Sequence, residues 1–266
     1  MTLAEALASS GLEPREARLL LAAALGAGQA SIVASPERKL PEHAGERYFS
    51  FAARRRAGEP VAYILGSKEF YGLELAVTPA VLIPRPETEL LVDLALARAF
   101  DSVADLGTGS GAVALAIKRH RPLARVVAVE SSAAALAIAR ANAARHGLEL
   151  ELRLGRWLEP LAGERFHLIV SNPPYVAQGD PHLAQLNFEP AHALVSGPDG
   201  LADIRDIVAG ARAYLTPVGE LLLEHGQGQD PEVRQLMAAA GFRQVMTYPD
   251  LAGIGRVTGG KRGGKR

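Results

Sequence analysis

The chain has 266 residues, of which 48% are hydrophobic and 22% are charged, and its formal net charge is +0. These values exclude an intrinsically disordered protein, and the neutral balance offers no field that would attract nucleic acid or an anionic membrane. Cysteine is absent, which excludes disulfides, thiolate metal sites and a cysteine nucleophile. The length suffices for one large domain and one small domain.

The amino terminus and the apolar runs bear on localisation. Residues 1–6 have no basic region followed by an apolar core, so no secretory signal is expected. No apolar run approaches the roughly 20 residues that a membrane-spanning helix needs. We expect a cytoplasmic protein without a membrane partner.

Residues 1–58 are predicted to form a small helical domain, because Ala, Leu, Glu and Arg recur there at helical spacing. Pro14 suits the first turn of one helix, and Gly26 suits its end. A later helix ends in Arg54-Arg55-Arg56, where positive charge complements the helix dipole.

Residues 59–86 show short apolar runs separated by glycine and proline. This pattern is typical of a β-hairpin, so we predict a hairpin linker between two domains. Arg85 lies between Pro84 and Pro86, and this rigid setting would allow it to shape a pocket. Acidic residues then open a helix that is expected to run to about Ala99.

Residues 87–258 are predicted to form one α/β domain, because strand and helix patterns alternate beyond residue 100. The predicted strands cover residues 102–106, 125–129, 149–154, 166–171 and 220–224, and the predicted helices cover 112–120, 133–146, 203–215 and 231–240. Repeated β-α units imply a doubly wound, mostly parallel sheet. The tail, residues 259–266, contains only glycine, lysine and arginine and is predicted to be disordered.

A glycine-rich loop joins the first strand of this sheet to its first helix. Its glycines permit a tight turn and a close backbone approach, and the helix that follows offers free N–H groups. A carboxylate at the end of the second strand can bind both hydroxyls of a ribose. We therefore predict a nucleotide-like cofactor. Its predicted binding residues are Asp105, Gly107, Thr108, Gly109, Ser110, Gly111 and Glu130.

Two cofactors compete for this loop. Gly107-x-Gly109-x-x-Ala112 satisfies the relaxed dinucleotide fingerprint, so NAD is a rival. The carboxylate of Asp105, directly before the loop, would repel a pyrophosphate but would suit the ammonium group of a methionine moiety. This favours S-adenosylmethionine, with S-adenosylhomocysteine as product. The histidines lack metal-ligand spacing, and no metal is expected.

Asn172-Pro173-Pro174-Tyr175 follows the apolar run 166–171 and is expected at the tip of a buried strand. Two prolines fix the backbone, so the carbonyls of Asn172 and Pro173 and the Asn172 side-chain oxygen can accept hydrogen bonds from an –NH2 group. Tyr175 would pack beside that group, and Pro174 would hold the loop. We predict Asn172, Pro173 and Tyr175 as catalytic residues, and all four residues together with Arg85 as the substrate site.

The glycine loop and this strand tip together resemble the class I methyltransferases that modify planar –NH2 nitrogens of adenine, guanine or glutamine. The resemblance implies a Rossmann-like class I methyltransferase sheet with a small N-terminal helical domain and a hairpin linker. Further stretches make the chain similar to the HemK-type N5-glutamine methyltransferases of peptide chain release factors, over nearly all of the chain to about residue 258. These stretches are residues 1–58, 58–66, 82–89, 180–183, 188–190 and 222–226.

This resemblance implies methyl transfer from S-adenosylmethionine to the side-chain amide nitrogen of the glutamine in the Gly-Gly-Gln motif of class-1 release factors. It implies that Trp157 borders the cofactor adenine and that Asn172 contacts cofactor as well as substrate. The family usually has an acid at the position of Arg156, which cannot accept a hydrogen bond from adenine. We therefore expect a backbone acceptor there, with Trp157 stacking. The helical domain is expected to dock the release factor, in a monomer that needs no direct contact with nucleic acid.

Four alternatives remain open. The glutamine methyltransferase of a ribosomal protein is the closest, although it is expected to carry a Pro-Arg-Ser-Pro stretch where this chain has Pro84-Arg85-Pro86-Glu87. A DNA or RNA amino-group methyltransferase would use the same tip to hold a base, and an NAD-dependent oxidoreductase would use the same loop. Asn172-Pro173-x-Tyr175 also matches a peptide motif that adaptor domains bind, but such a motif needs an exposed, flexible segment.

Overall fold

The computed structural model describes residues 1–263. The chain divides into two compact units, Met1–Ser67 and a second unit that begins at Lys68. Across the described residues, no helix is both long enough and apolar enough to cross a bilayer.

The first unit is built from five helices. They are α1 (Leu3–Ser9), α2 (Pro14–Leu25), α3 (Gln29–Ala34), α4 (Glu42–Arg56) and α5 (Val61–Leu65). Thr2 and Glu5 form a capping box at the start of α1, and Gly26 ends α2 in the left-handed conformation. Buried leucines, alanines and Tyr48 form the core of this unit.

The basic cluster at the end of α4 is paired inside the first unit. Arg55 Nε donates to Glu16 at 2.8 Å, and Arg54 Nε donates to Glu59 at 2.8 Å. Arg56 donates to the backbone carbonyl of Ser10. These arginines therefore hold the helical unit together, in addition to complementing the dipole of α4.

The predicted linker is wrong over residues 59–66. Pro60 and Gly66 flank helix α5 instead of bounding a strand, because Pro60 precedes its first turn and Gly66 ends it at a φ of 72°. The predicted boundary at residue 58 therefore falls nine residues before the end of the first unit at Ser67. The structure has a shorter hairpin in this region, in which β1 (Ser67–Phe70) pairs with β2 (Leu73–Ala76).

As far as Gly263, where the description ends, the second unit continues with seven strands and five helices. The strands are β3 (Ser102–Leu106), β4 (Arg125–Glu130), β5 (Glu151–Leu154), β6 (Phe166–Ser171), β7 (Leu215–Glu224), β8 (Arg243–Pro249) and β9 (Gly255–Lys261). The helices are α6 (Glu89–Leu96), α7 (Ala112–His120), α8 (Ala133–His146), α9 (Ala202–Ala211) and α10 (Asp230–Ala239). Short 3-10 turns, among them Pro86–Thr88, lie between them.

The seven strands form one sheet in the order β5-β4-β3-β6-β7-β9-β8. The first five run parallel, and β9 pairs antiparallel with both β7 and β8. This confirms the predicted Rossmann-like, mostly parallel sheet. The chain runs outward from β3 to β5 and then returns to the other side of β3 with β6. The strand order therefore reverses between β3 and β6, and ligands of open α/β sheets bind at the carboxyl ends of the strands at such a point.

Alternate residues of the central strands supply the cores on the two faces of the sheet. Val126 and Ala128 belong to the core that includes α6 and α7, whereas Val127 and Val129 belong to the core that includes α9 and α10. Both faces of the parallel strands are therefore buried, which explains why these strands are apolar without alternation.

The predicted disordered tail is wrong over residues 259–261, which form the end of β9. A Cβ on Gly259 would lie 2.6 Å from Leu222 Cδ2, and one on Gly260 would lie 2.9 Å from Met237 Cε. Glycine is required at these positions because the core approaches the strand so closely. Residues 264–266 of the predicted tail lie outside the described residues.

Candidate active site

The predicted site residues converge at the carboxyl ends of β3, β4 and β6. Leu106 of β3 pairs with Val129 of β4 on one side and with Ser171 of β6 on the other. The glycine loop, Glu130 and Asn172 follow these three residues directly. The parallel register therefore brings to one edge of the sheet three segments that are up to 65 residues apart in sequence.

The glycine loop adopts the conformation that its sequence requires. Gly107, Gly109 and Gly111 have φ values of 74°, 56° and 86°, a region that other residues seldom enter. A Cβ on Gly107 would lie 2.9 Å from Trp157 Cζ3, whereas one on Gly109 would meet nothing within 4 Å. The loop is thus packed against Trp157 at one glycine and open toward a cavity at another.

Glu130 is buried and organises the loop. Its Oε2 accepts the Gly109 N–H at 2.9 Å, and its Oε1 accepts the Ser132 N–H at 2.8 Å. The carboxylate also lines the cavity beside the loop. Each carboxylate oxygen can accept more than one hydrogen bond, so Glu130 can hold the loop and still bind ligand hydroxyls.

Asp105 is buried beneath the loop. It accepts the Thr108 hydroxyl at 2.6 Å. Burial raises the pKa of Asp105 to about 6, and the hydrogen bond from Thr108 opposes this rise. A buried carboxylate with a raised pKa is favoured in its charged form by a cationic ligand group, which fits the predicted ammonium partner.

Trp157 and Arg156 border the same cavity, which encloses about 310 Å³. Trp157 has a φ of 49°, and its indole nitrogen is buried without a hydrogen-bond partner among the described residues. Arg156 lies over the indole ring at 5.9 Å and donates to Asp203 at 2.9 Å and to Asp206 at 2.8 Å. Two carboxylates of α9 therefore hold Arg156 in place, and Trp157 offers an aromatic wall.

The strand tip presents the Asn172 side chain in a defined orientation. Its Nδ2 donates to Thr88 Oγ1 at 3.0 Å, so its Oδ1 is left without a partner within residues 1–263. Asn172 lies on the surface of the cavity together with Pro174. Because one N–H of this amide is bound to Thr88 while Oδ1 is not bound by any described residue, the tip can offer an acceptor to a ligand.

The backbone of Tyr175 is fixed from two sides. Gln229 Nε2 donates to the Tyr175 carbonyl at 3.0 Å, and a Cβ on Gly200 would lie 2.3 Å from the same oxygen. The phenol oxygen of Tyr175 lies 3.5 Å from Glu224 Oε1, and burial raises the pKa of the Tyr175 hydroxyl. Tyr175 is therefore a neutral, well-anchored wall of the tip.

Arg85 is held by Glu189. The two side chains form an ion pair in which Glu189 is almost fully buried, and Glu189 also accepts the Ile83 N–H at 3.0 Å. Arg85 lines a small cavity with Asp105 and Asn172. The structure therefore brings Arg85 to the site, but its guanidinium is already engaged in tying two loops together.

Several residues that support the site were missed by the sequence analysis: Thr88, Glu189, Gly200, Glu224 and Gln229. Glu224 alone carried a usable signal, because it is a charged residue at the end of a long apolar strand. His225, by contrast, is structural: it is fully buried, with its ring nitrogens 2.9 Å from the Thr258 hydroxyl and 3.0 Å from the Gly226 carbonyl.

Comparisons with known proteins agree with this architecture. The family model of the methyltransferase small domain matches residues 86–200, and that of the PrmC N-terminal domain matches residues 2–66. A methyltransferase from Pyrococcus furiosus has the same fold with a TM-score of 0.58 at 18% identity, covering 79% of this chain and 97% of that one. A 16S rRNA methyltransferase from T. thermophilus, solved with AdoMet and guanosine, gives a TM-score of 0.53 at 23% identity, covering 73% and 49%.

A relative in Burkholderia pseudomallei identifies the family. It is a release factor glutamine methyltransferase that is 51% identical over 98% of this chain and 96% of its own length. The identity covers both units, so the assignment does not rest on the methyltransferase fold alone. The chain belongs to the release factor glutamine methyltransferase family.

Proposed function

We propose that this chain transfers a methyl group from S-adenosylmethionine to the side-chain amide nitrogen of the glutamine in the Gly-Gly-Gln motif of class-1 release factors. The observation that carries the proposal is that Asn172 lines the cavity while its Nδ2 donates to Thr88, which leaves Oδ1 as the acceptor that this side chain can offer to a ligand. Such an acceptor suits an –NH2 group. Family membership makes a protein glutamine the preferred bearer of that group over a nucleic-acid base.

The residues around the cavity fit S-adenosylmethionine. The open side of Gly109 allows close approach, Glu130 is available to ribose hydroxyls, and the indole of Trp157 suits an adenine face. Asp105 would pair with the methionine ammonium group. The carboxylate of Asp105 would repel a pyrophosphate, so NAD fits this set of residues less well.

When bound, S-adenosylmethionine supplies an electrophilic methyl group on a positively charged sulfur. The amide nitrogen of glutamine is a weak nucleophile because its lone pair is delocalised into the carbonyl. Asn172 Oδ1 and the Pro173 carbonyl would each accept one N–H, which fixes the plane of the amide and raises its electron density. Positioning of this kind can supply several kcal/mol of the barrier. The nitrogen becomes acidic on methylation, so its proton can leave to water without a strong base.

The proposal includes docking of the release factor on the helical unit, a monomeric state and a cytoplasmic location. The support for docking is that the first unit exposes apolar side chains such as Val33, which is 66% exposed.

A transfer assay tests the proposed function. We expect label from S-adenosylmethionine on a class-1 release factor and none on a variant whose Gly-Gly-Gln glutamine is alanine. DNA, RNA and ribosomal proteins should stay unlabelled in parallel reactions. Label on a nucleic acid or on a ribosomal protein, with none on the release factor, would overturn the proposal in favour of the corresponding alternative.

Glu130→Ala is expected to weaken cofactor binding about 10- to 100-fold, because it removes charge-assisted hydrogen bonds to the ribose. Calorimetry should compare S-adenosylhomocysteine with an analogue that lacks both ribose hydroxyls. The analogue should bind the wild-type protein more weakly than S-adenosylhomocysteine does. The variant should bind both ligands about equally well, because the substitution has already removed the hydrogen bonds that the ribose hydroxyls make. An equal cost of the missing hydroxyls in both proteins would show that Glu130 only holds the glycine loop.

A further inference from the structure

Glu224 is a buried carboxylic acid that the mechanism above does not use. We propose that Glu224 is a positioning residue that acts through the hydroxyl of Thr88 to set which end of the Asn172 side-chain amide faces the substrate. The inference deepens the proposed function and rests on it, because it concerns the hydrogen-bond acceptor offered to the substrate –NH2 group.

Strand register places Glu224 beside the tip. Leu223 of β7 pairs with Ser171 of β6, so Glu224 lies level with Asn172 at the end of the neighbouring strand. Glu224 is only 1% exposed. The Thr88 hydroxyl lies close enough to its carboxyl group to lower the pKa of Glu224, and its Oε1 lies 3.5 Å from the Tyr175 hydroxyl. Its Oε2 is buried without a hydrogen-bond partner among the described residues.

The direction of the Thr88 O–H determines which end of the Asn172 amide can bind to it. The Thr88 hydroxyl has one hydrogen, and its oxygen accepts from Asn172 Nδ2 at 3.0 Å. A carboxylate can only accept, so an ionised Glu224 draws the Thr88 hydrogen toward itself. The hydroxyl oxygen is then an acceptor on its other side, and Asn172 must direct its Nδ2 inward and its Oδ1 toward the substrate.

A protonated Glu224 would remove this constraint. Its O–H could donate to Thr88, which would free the Thr88 hydrogen to turn toward Asn172. The amide could then flip and present its –NH2 to the substrate –NH2, donor against donor. In that state the tip no longer selects the amide orientation that catalysis requires.

The groups around Glu224 set the pH at which its carboxyl group gains or loses a proton. Burial raises the pKa of Glu224 to about 7, and Glu87 adds to the rise. Arg256 of β9, the Thr88 hydroxyl and the Tyr175 hydroxyl oppose it. The neighbouring His225 faces Thr258 and a backbone carbonyl instead. The productive orientation is thus held above about pH 7 and lost below it, so turnover should rise as pH increases through this range.

Substitutions separate this role from a merely structural one. Thr88→Val removes the hydroxyl and should lower kcat about 30-fold or more, with KM for the release factor and affinity for S-adenosylhomocysteine changed less than about threefold. Thr88→Ser should restore kcat to within about threefold of wild type. Glu224→Gln should lower kcat about tenfold at pH 8 and flatten its rise between about pH 6 and pH 8. Glu220→Gln, on the same strand away from the site, is the matched control.

A second readout does not depend on methyl transfer. In nitrogen-15 NMR spectra, the Asn172 side-chain amide signals should shift with a midpoint near pH 7 in the wild type and stay constant in Glu224→Gln. An inactive wild-type protein that shows this shift would overturn the proposed function and leave the positioning role standing. The positioning role alone would be overturned if the wild-type protein methylates the release factor but Glu224→Gln keeps the same pH response of kcat and of the Asn172 amide signals. Retained kcat in Thr88→Val would do the same.

Discussion

Replacement of Asn172 with alanine is expected to lower methyl transfer to the release factor about 10³-fold, the largest effect of any single change proposed for this chain. The variant loses the acceptor that would hold one N–H of the substrate amide, and preorganised groups of this kind typically contribute two to three orders of magnitude. Cofactor affinity should change by less than about threefold, because the proposed cofactor-binding groups are the glycine loop after β3 and Glu130 at the end of β4, whereas Asn172 follows β6. Single-turnover rates and calorimetric titration with S-adenosylhomocysteine measure the two quantities separately.

Asn172→Asp is the matched control for this prediction. Aspartate has nearly the same shape and keeps an acceptor toward the substrate, but it cannot donate to Thr88. It should therefore retain more activity than Asn172→Ala while remaining below wild type. An alanine variant that loses cofactor affinity and turnover to the same extent would show that Asn172 acts through the cofactor pocket and not on the substrate.

Gly200→Ala is expected to reduce turnover about 10²-fold although Gly200 is not proposed to contact either ligand. Its φ is 77°, and a Cβ would lie 2.3 Å from the Tyr175 carbonyl oxygen and 2.8 Å from Gln229 Nε2. Because both neighbours anchor the strand tip, relief of the clash must displace the backbone that positions Asn172. A shift of about 1 Å at a reacting group can cost this much.

Gly163→Ala separates the clash from backbone strain. Gly163 has a φ of 83°, and an added Cβ there meets nothing within 4 Å. Both alanines should lose about 1 kcal/mol of unfolding free energy to the left-handed backbone, and Gly200→Ala should lose more because of its clash, as measured by urea denaturation. Only Gly200→Ala should lose turnover. If the two variants lost turnover equally, the tip would not be sensitive to packing behind Tyr175.

Most of the parallel sheet could be predicted from the sequence because its strands and helices have clear limits. Residues 102–106 and 166–171 are continuous apolar runs that end at a glycine loop and at Asn-Pro, and both match the observed strands. Strand β7 was predicted to start at residue 220 but begins at Leu215. Pro217 and Gly219 obscured this start because they commonly interrupt strands; β7 tolerates them where its pairing with β6 shifts register.

Local composition also misled the analysis where tertiary packing determines the structure. The Gly-Gly pair in residues 259–260 looked like a flexible tail, yet its lack of side chains is what admits β9 to the core. The run Tyr63-Ile64-Leu65 is too short for periodicity to distinguish a strand from a helical turn, and it belongs to α5.

Within the candidate site, only the residues that directly follow a predicted strand could be predicted from the sequence. The glycine loop, Glu130 and Asn172 each follow an apolar run, so their convergence follows from parallel strands. Their partners are distant in sequence: Thr88 reaches Asn172 across 84 residues, and Gln229 reaches Tyr175 across 54. No local pattern encodes these pairs, so the orientation of the tip became visible only in the folded chain.

The position of the added methyl group in the product is the most direct test of the proposed function. A class-1 release factor should be incubated with the wild-type protein and S-adenosylmethionine, digested, and sequenced by tandem mass spectrometry. We expect one added methyl group on the side-chain nitrogen of the glutamine in the Gly-Gly-Gln motif. An unmodified glutamine at that position, with the methyl group on another residue or on a nucleic acid in the same reaction, would contradict the proposed function.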